Sequence, residues 1–230
     1  MPKKSWKPSA NMPKRRTPKP SDSGGHADLK DCRQLKRSFF DAPPEQVARE
    51  LLGKILVREV AGHRLAGRIV ETEAYLGEDD PAAHSASGRT LRNAVLYGPP
   101  GFAYVYIIYG LYYCLNVSCL PDGVPGGVLL RALEPLEGMD RMRRNRGLNP
   151  AASIHQLTSG PGKLCQAFGI TRAAENGLDF TSPGSALRMF EDDFGSCEIS
   201  VTPRIGIRKA ADLPLRFLLA GHVCVSAGGR

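Results

Sequence analysis

Hydrophobic residues in this chain fall mostly into short runs that alternate with polar residues and end at turn-forming residues, a pattern typical of β-strands. Strands are predicted over residues 54–60, 64–75, 102–118 with a break at Tyr109-Gly110, 127–133 and, more weakly, 199–201, 215–219 and 223–225. Helical spacing is confined to residues 45–52, 136–146 and a short stretch within 159–168. Because consecutive strands are joined by short turns, the pattern predicts an α+β domain with an antiparallel sheet.

The first 37 residues differ from the rest in composition. They are rich in Lys, Arg, Pro, Ser and Gly with almost no apolar periodicity, which predicts a disordered tail over 1–37 and one domain over 38–230. The formal net charge of +8 belongs to the tail, which holds 11 Lys/Arg and 3 Asp/Glu, whereas residues 38–230 hold 20 of each. A basic tail suits a polyanionic partner, and a solubilising extension explains it equally well.

Composition excludes several classes of protein. No apolar stretch approaches the length of a membrane span, and no apolar segment of a secretory signal follows the basic N-terminus, so we expect a soluble protein that binds no membrane. The six cysteines form no CxxC pair, and no His lies at zinc-ligand spacing from two of them. We therefore expect no metal and no cofactor.

The strand over residues 64–75 carries two acids among apolar residues. Alternate side chains of a strand share a face, so Glu71, Glu73 and Tyr75 are predicted to point the same way. Burying charge is costly unless the charge is paired or used, and a poised carboxylate can act as general base on a water in glycosidic hydrolysis. A solvent-facing strand with surface acids remains the alternative for this segment alone.

Five of the seven tyrosines lie between residues 101 and 116. Tyr109-Gly110 separates two β-runs, as the tip of a hairpin would. A large aromatic residue at a turn tip is badly placed for a core, but it can act as a wedge between stacked base pairs. Tyr104, Tyr106 and Tyr113 could stack on bases or form cross-strand core pairs, and the pattern leaves both readings open.

Three further polar residues stand out against their surroundings. Arg131 lies within an apolar run, where a buried guanidinium requires a carboxylate such as Glu71 or Glu73. Asn116 lies within an apolar strand, where its amide needs a partner. His84 lies in the loop after the acidic strand, where a functional residue and an ordinary surface histidine are both consistent with the sequence.

A glycine-rich stretch ending in a lysine, Ser159-Gly160-Pro161-Gly162-Lys163, begins a predicted helix. Such a helix start can bind phosphate through its backbone N–H groups and the lysine charge. The glycine spacing is not that of a nucleotide-binding P-loop.

Several segments, in order and nearly at family spacing from about Ser38 to Ser226, resemble the alkyladenine (3-methyladenine, N-methylpurine) DNA glycosylase family. They are residues 68–77 (RIVETEAYLG), 82–85 (AAHS), 104–110 (YVYIIYG), 129–135 (LLRALEP) and 159–167 (SGPGKLCQA). The resemblance implies that 38–230 is a DNA glycosylase domain. It implies an α+β fold, a single mixed domain around a curved antiparallel sheet with a protruding β-hairpin that enters the minor groove.

The resemblance also implies catalytic and DNA-contacting residues. Glu73 matches the general base that activates the attacking water. Arg131 and the main-chain carbonyl of Ile205 match the groups that hold this water. Tyr109 matches the tyrosine that intercalates into DNA, and Lys163 resembles a contact to the DNA backbone.

The remaining matches belong to the pocket for the damaged base. Tyr75 resembles the tyrosine that stacks on one face of a flipped base, and Tyr106 and His84 resemble the pair on its other face. Asn116 matches the asparagine that clashes with the 2-amino group of guanine and so helps to exclude that normal base.

The function implied is that of a monofunctional DNA glycosylase of base excision repair. It would flip alkylated or deaminated purines from double-stranded DNA and hydrolyse the N-glycosidic bond. We expect a monomer without a membrane partner, cytoplasmic and nucleoid-associated if bacterial, or nuclear if eukaryotic. An oligosaccharide glycosidase and a non-catalytic nucleic-acid-binding module remain the alternatives, and release of free 3-methyladenine would separate the three.

Overall fold

The structure is a computed structural model that describes residues 32–226. Within this range the chain forms nine strands and six short helices. The strands are β1 (Arg33–Gln34), β2 (Ile55–Val60), β3 (His63–Tyr75), β4 (Ala103–Ile108), β5 (Tyr112–Ser118), β6 (Gly127–Glu137), β7 (Leu187–Glu191), β8 (Ile199–Thr202) and β9 (Arg216–Leu219). The helices are α1 (Arg37–Phe40), α2 (Pro44–Glu50), α3 (Met139–Arg146), α4 (His155–Thr158), α5 (Pro161–Phe168) and α6 (Arg172–Glu175), with a 3-10 turn at Ala94–Tyr97.

The strands form one antiparallel sheet that does not close into a barrel. Its main path runs in the order β1-β7-β2-β3-β6-β5-β4. The pair β8 and β9 joins this path through β9, which pairs with β3. The predicted α+β class, with an antiparallel sheet and a hairpin formed by β4 and β5, is confirmed.

Strand β3 is the longest element and lies at the centre of the sheet. Its first half pairs with β2, its second half with β9, and nearly its whole length with β6. The register with β6 shifts between Ile69 and Thr72, so a bulge interrupts the strand beside Glu71. Bulges of this kind occur often next to active sites, where they redirect side chains.

The helices cover one face of the sheet. Thr72 donates a hydrogen bond to the carbonyl of Ala48 in α2, and Ala74 belongs to the main hydrophobic core. The same core contains Val105 of β4 and Leu115 of β5. The alternate residues of these strands therefore point away from the helices, and they build the site described below.

Strand β1 lies within the stretch that the sequence predicts as a tail. Its residues Arg33 and Gln34 pair with Glu191 and Phe190 of β7. The rest of the predicted tail, residues 1–31, lies outside the described residues. The sequence pattern had not indicated β1 or β7, whose pairing joins segments more than 150 residues apart.

Two further elements differ from the prediction. The helix predicted over 136–146 begins at Met139, because β6 continues to Glu137 and Gly138 then adopts a left-handed conformation, with φ of 79°. The strand predicted over 223–225 is wrong. These residues form a turn, in which Val225 N–H donates to the carbonyl of His222, and the turn brings Ser226 back towards β3.

The turn after β3 depends on a glycine. Gly77 has a φ of 106°, and a Cβ there would lie 2.3 Å from the carbonyl oxygen of Pro125. Gly88 has a similar φ of 85°, but no atom of the described residues lies within 4 Å of its Cβ position. Gly88→Ala is expected to lower the free energy of unfolding by roughly 1–2 kcal/mol, the cost of a left-handed residue with a Cβ. Gly77→Ala should cost roughly 1–3 kcal/mol more, because the backbone must also move.

Urea unfolding of the two variants and the wild type measures this difference. Equal losses of stability in Gly77→Ala and Gly88→Ala would contradict a close contact between Gly77, in the turn after β3, and Pro125, in the loop before β6.

Candidate active site

A cavity of about 210 Å³ opens on the face of the sheet opposite the helices, between the end of β3, the β4–β5 hairpin and two loops. One loop follows β3 and the other connects β8 to β9. Its lining consists of Tyr75, Ala82, Ala83, His84, Ser85, Leu96, Tyr104, Tyr106, Ile108, Asn116, Gly126, Gly127, Gly206 and Ile207. The 3-10 turn contributes Leu96, and the start of β6 contributes Gly127 together with the preceding Gly126, so the site is built from several separate parts of the chain.

Glu73 lies directly behind Tyr75 and has no solvent exposure. Its Oε1 atom lies 3.0 Å from Nη1 of Arg131 and accepts a hydrogen bond of 2.7 Å from the backbone N–H of Ile205. Its Oε2 atom accepts a hydrogen bond of 3.0 Å from the hydroxyl of Tyr75. The carboxylate thus has an arginine on one oxygen and a cavity-lining tyrosine on the other.

Glu71 is equally buried but is surrounded by donors on both oxygens. Its Oε1 atom accepts from Nε of Arg131 at 2.8 Å, from Nε of Arg216 at 2.7 Å and from the hydroxyl of Ser226 at 2.8 Å. Its Oε2 atom accepts from the backbone N–H of Ser226 at 2.7 Å. The contacts of Glu71 are structural, since none of these partners lines the cavity.

Arg131 bridges the two acids, as its position in an apolar strand predicts. Burial disfavours ionisation of Glu71, but the charges of Arg131 and Arg216 and the hydrogen bond from Ser226 outweigh it, so the pKa of Glu71 is lowered. For Arg131, burial acts against the charged form, and the charges of Glu73 and Glu71 reverse its effect, so the pKa of Arg131 is raised. With Arg216, the cluster combines two acidic side chains with two arginines.

Aromatic rings form the walls of the cavity. The ring of His84 lies 4.4 Å from that of Tyr106, centroid to centroid, and its Nδ1 atom lies 2.8 Å from the hydroxyl of Tyr104. Burial, and then the charge of Arg92, lower the pKa of His84, so its ring is neutral at physiological pH. Burial raises the pKa values of Tyr75 and Tyr106, which are therefore neutral as well. The walls can stack on a planar ring without adding charge.

Asn116 enters the cavity from β5, directly across from Tyr104 of β4. Its side-chain amide nitrogen donates to the carbonyl of Tyr104 at 3.1 Å, which satisfies one of the two amide hydrogens and fixes the orientation of the amide. The side chain of Asn116 is buried but lines the cavity. The rest of its amide is therefore a polar group that faces whatever occupies the cavity.

Tyr109 and Lys163 lie outside the cavity. Tyr109 is 87% exposed at the tip of the hairpin and has a φ of 52°, which is unusual for a residue other than glycine. Lys163 is exposed in the first turn of α5. The adjacent Gly162 approaches Tyr112 so closely that a Cβ would lie 3.1 Å from it, so α5 begins beside the hairpin.

The structure brings most of the candidate residues together. Tyr75, His84, Tyr106 and Asn116 line the cavity, with Glu73 and Arg131 behind Tyr75. The resemblance implies that the main-chain carbonyl of Ile205 holds the attacking water. In the structure, the backbone N–H of the same residue donates a hydrogen bond to Glu73.

Sequence reasoning missed four polar residues around the site: Asp80, Arg204, Arg216 and Ser226. Arg216 carries the same signal as Arg131, a cation within the apolar run Leu215–Leu219, and could have been found in that way. The other three lie in irregular segments, where no local pattern marks a buried polar residue.

Residues 32–226 contain neither a metal-binding cluster nor a membrane-spanning helix. No group of three or more His, Cys, Asp or Glu side chains in that range is arranged to hold a metal ion. None of the helices in the same range has the length and apolar character needed to cross a membrane.

Comparison with known proteins identifies the family. The profile of the Methylpurine-DNA glycosylase family matches residues 38–223, which is most of the chain. A protein of Koribacter versatilis, provisionally named a 3-methyladenine DNA glycosylase, is 57% identical over 200 residues, which cover 87% of this chain and 96% of the relative.

The chain belongs to the methylpurine-DNA glycosylase family. Relatives with the same provisional name occur in Methanocella arvoryzae, at 48% identity over 84% of this chain and 95% of the relative, and in Rhodopseudomonas palustris, at 50% over 84% and 90%. The methylpurine-DNA glycosylase match includes β2 to β9 and all the residues that line the cavity.

Removing the charge of Glu71 tests whether the ion cluster holds the site together. Glu71→Gln leaves two buried arginines short of a counter-charge, and we expect it to lower the free energy of unfolding by roughly 3–5 kcal/mol at neutral pH. Glu191→Gln is the control, because Glu191 also pairs with two cations but at a part-exposed position. It should cost at most about 1 kcal/mol.

The pH dependence of unfolding gives a second measure. Because the folded-state pKa of Glu71 lies below its usual value of 4.5, its stabilising contribution is complete above that pH and is lost as the pH falls through the folded pKa. Glu71→Gln should therefore lose less stability than the wild type in this acid range. If the unfolding free energies of the wild type and Glu71→Gln fell in parallel as the pH is lowered, the lowered pKa of Glu71 in the folded protein would be contradicted.

Proposed function

We propose that this protein is a monofunctional DNA glycosylase of base excision repair that removes alkylated or deaminated purines, such as 3-methyladenine, from double-stranded DNA. Family membership and the names of its relatives support DNA-3-methyladenine glycosylase activity. The observation that carries the mechanism is the position of Glu73. It is a fully buried carboxylate bonded both to Arg131 and to an aromatic residue of the cavity wall.

The cavity receives a purine that has been rotated out of the duplex. Tyr75 stacks on one face of the base, and Tyr106 and His84 stack on the other. Flipping costs a few kcal/mol and costs less for a damaged base, which contributes to selection. Alkylation at N3 or N7 gives the purine a positive charge, and the electron-rich faces of the two tyrosines attract such a ring through cation–π interaction.

Glu73 is the general base. It takes a proton from a water molecule held by Arg131 and the main-chain carbonyl of Ile205, and the water oxygen attacks C1′ on the side opposite the base. The C1′–N bond breaks, and its electron pair leaves with the purine, so that a cationic base departs neutral. A neutral base such as hypoxanthine must also receive a proton on its ring in order to depart neutral. The products are the free base and an abasic site. Among residues 32–226, no lysine lines the cavity, so this part of the chain offers no amine there for a Schiff-base reaction.

Asn116 excludes normal guanine. Its amide is held by the Tyr104 carbonyl and projects into the cavity, where the 2-amino group of guanine would meet it. Adenine and hypoxanthine lack this amino group. Asn116 therefore selects by steric clash, since its amide already occupies the space that the 2-amino group of guanine would need.

Tyr109 and Lys163 bind the DNA outside the cavity. The exposed ring of Tyr109 enters the minor groove and fills the space that the flipped nucleotide leaves. Lys163 contacts the DNA backbone from the start of α5, which lies beside Tyr112 near the tip of the hairpin. A single copy of the chain supplies the base pocket, the wedge and the backbone contact, which is consistent with a monomer acting on DNA at the bacterial nucleoid.

The assignment of Glu73 is tested with DNA methylated in vitro. The wild type should release free 3-methyladenine, and Glu73→Gln should abolish release while DNA binding is retained, because the amide keeps the shape but cannot accept a proton. Glu137→Gln serves as control, since this acid lies at the far end of β6, outside the cavity lining, and forms an ion pair of 3.9 Å with Arg64. Normal release by Glu73→Gln would refute the mechanism, and no release by the wild type would refute the proposed function.

The role of Tyr109 is tested by 2-aminopurine fluorescence beside a lesion. Tyr109→Ser should lose most of the fluorescence increase that reports a captured flipped base, because no side chain fills the vacated stack. Tyr109→Phe keeps the ring and should retain the increase. Equal signals from the serine and phenylalanine variants would show that the hairpin tip is not a wedge.

A further inference from the structure

A second buried ion pair lies next to the cavity without lining it. Arg204 and Asp80 form a two-point contact, Nη1 to Oδ2 at 2.5 Å and Nη2 to Oδ1 at 2.9 Å, and both side chains have no solvent exposure. Burial alone would raise the pKa of Asp80, but the hydrogen bonds from Arg204 and from backbone N–H groups lower it, so the pair is ionised. The proposed reaction uses neither residue.

Asp80 organises the loop that follows β3. Its oxygens accept hydrogen bonds from the backbone N–H of Leu76 at 3.2 Å and of Ala82 at 3.0 Å. The next residues, 82–85, are the part of this loop that lines the cavity, and they include His84. Asp80 therefore sets the path by which His84 reaches the cavity wall.

Arg204 anchors the second cavity loop, which connects β8 to β9, to Asp80 and to the end of β3. Its Nη1 atom also donates to the carbonyl of Ala74 at the end of β3, at 3.0 Å. The following residue, Ile205, donates its N–H to Glu73, and Gly206 and Ile207 line the cavity. One guanidinium thus ties both cavity loops to the end of the strand that carries Glu73.

Arg204 also supports Tyr75. Its Cζ atom lies 4.7 Å from the centroid of the Tyr75 ring. Tyr75 lines the cavity and Arg204 does not, so the guanidinium covers the side of the ring that faces away from the cavity. With its hydroxyl on Glu73 and Arg204 behind it, the Tyr75 ring is held at its edge and on one face.

We propose that Arg204, paired with Asp80, is a positioning residue of this enzyme. It holds Tyr75 and the two cavity loops at the spacing that a base and a water molecule require. The inference rests on the proposed function for its kinetic consequence, but the structural role can be tested separately. A planar guanidinium is needed, because a lysine ammonium cannot make the two parallel contacts to Asp80, reach the Ala74 carbonyl and cover the ring at once.

The test compares Arg204→Lys with Arg58→Lys. Arg58 is an equivalent buried arginine far from the cavity lining. It contacts Glu175 through Nε at 3.1 Å and Nη2 at 2.6 Å and a backbone carbonyl, that of Phe168, at 3.0 Å. Single-turnover release of 3-methyladenine at saturating enzyme should slow by roughly 10–100-fold in Arg204→Lys, because misplacement by about 1 Å can cost this much, with DNA affinity nearly unchanged. Arg58→Lys should release base at the wild-type rate although it is also destabilised.

A double variant, Asp80→Asn with Arg204→Met, covers the case in which Arg204→Lys does not fold. It leaves no unpaired buried charge and keeps one of the two oxygens of Asp80, as an acceptor for the N–H of either Leu76 or Ala82. It too should bind DNA and release base slowly. Wild-type rates in either Arg204 variant, or an equal slowing in Arg58→Lys, would overturn the proposal.

Amide hydrogen exchange separates this proposal from the proposed function. Faster exchange in residues 76–85 and 204–207 is expected in Arg204→Lys and not in Arg58→Lys. This readout needs no catalysis, so it decides the positioning role even if the wild type releases no base. Unchanged exchange in both loops would refute the role of Arg204.

Discussion

The site depends on the burial of two carboxylates on one face of a central strand. Neither Glu71 nor Glu73 has any solvent exposure, and two unpaired buried charges would cost far more than the net stability of a domain. Arg131 contacts both acids, and Arg216 supplies the second positive charge. The polypeptide must bring these arginines to β3 in order to fold, so the requirement for charge neutrality determines which strands lie beside it.

This constraint accounts for much of the topology around the site. Arg131 lies on β6 and Arg216 on β9, the two strands that flank the second half of β3. Ser226, at the end of the described chain, completes the set of hydrogen-bond donors around Glu71. It follows a turn for which the sequence pattern predicts a strand. The donors that surround Glu71 hold Arg131 in place, and Arg131 in turn presents Nη1 to Glu73. One acid is therefore used to position the cation that serves the other.

The hydrophobic core and the cavity lie on opposite faces of the same sheet. Alternation along β4 and β5 sends Val105 and Leu115 into the core under the helices and sends Tyr104, Tyr106 and Asn116 into the cavity. The sheet supplies a rigid platform, whereas His84 and Ile205 come from loops that polar contacts hold in place. This arrangement suits an enzyme in which rigid strands hold the reacting side chains and loops complete the pocket around a planar ligand.

Local pattern accounted for the elements whose signal lies within a few residues. Strands β2 to β6, helix α2 and the hairpin with Tyr109 at its tip follow from period-two alternation and turn residues. Strand β1 has only two residues, and its pairing with β7 joins distant segments that carry no local signal for each other. The helix predicted from residue 136 begins later, because pairing of β6 with β3 extends the strand to Glu137, and this pairing outweighs the helical spacing of its residues.

The sequence by itself determined that two acids and a tyrosine share one face of a strand, that a buried arginine must pair with such acids, and that a tyrosine occupies a turn tip. These conclusions need only the geometry of a strand and the cost of burying charge. Only the tertiary structure decided that Glu73, and not Glu71, contacts the cavity wall, and that Asp80 and Arg204 lie behind it. The reason is physical: the two acids have the same chemistry and the same local setting. What distinguishes them is the set of donors brought to each from β6, β9 and the loops, up to 155 residues away along the chain.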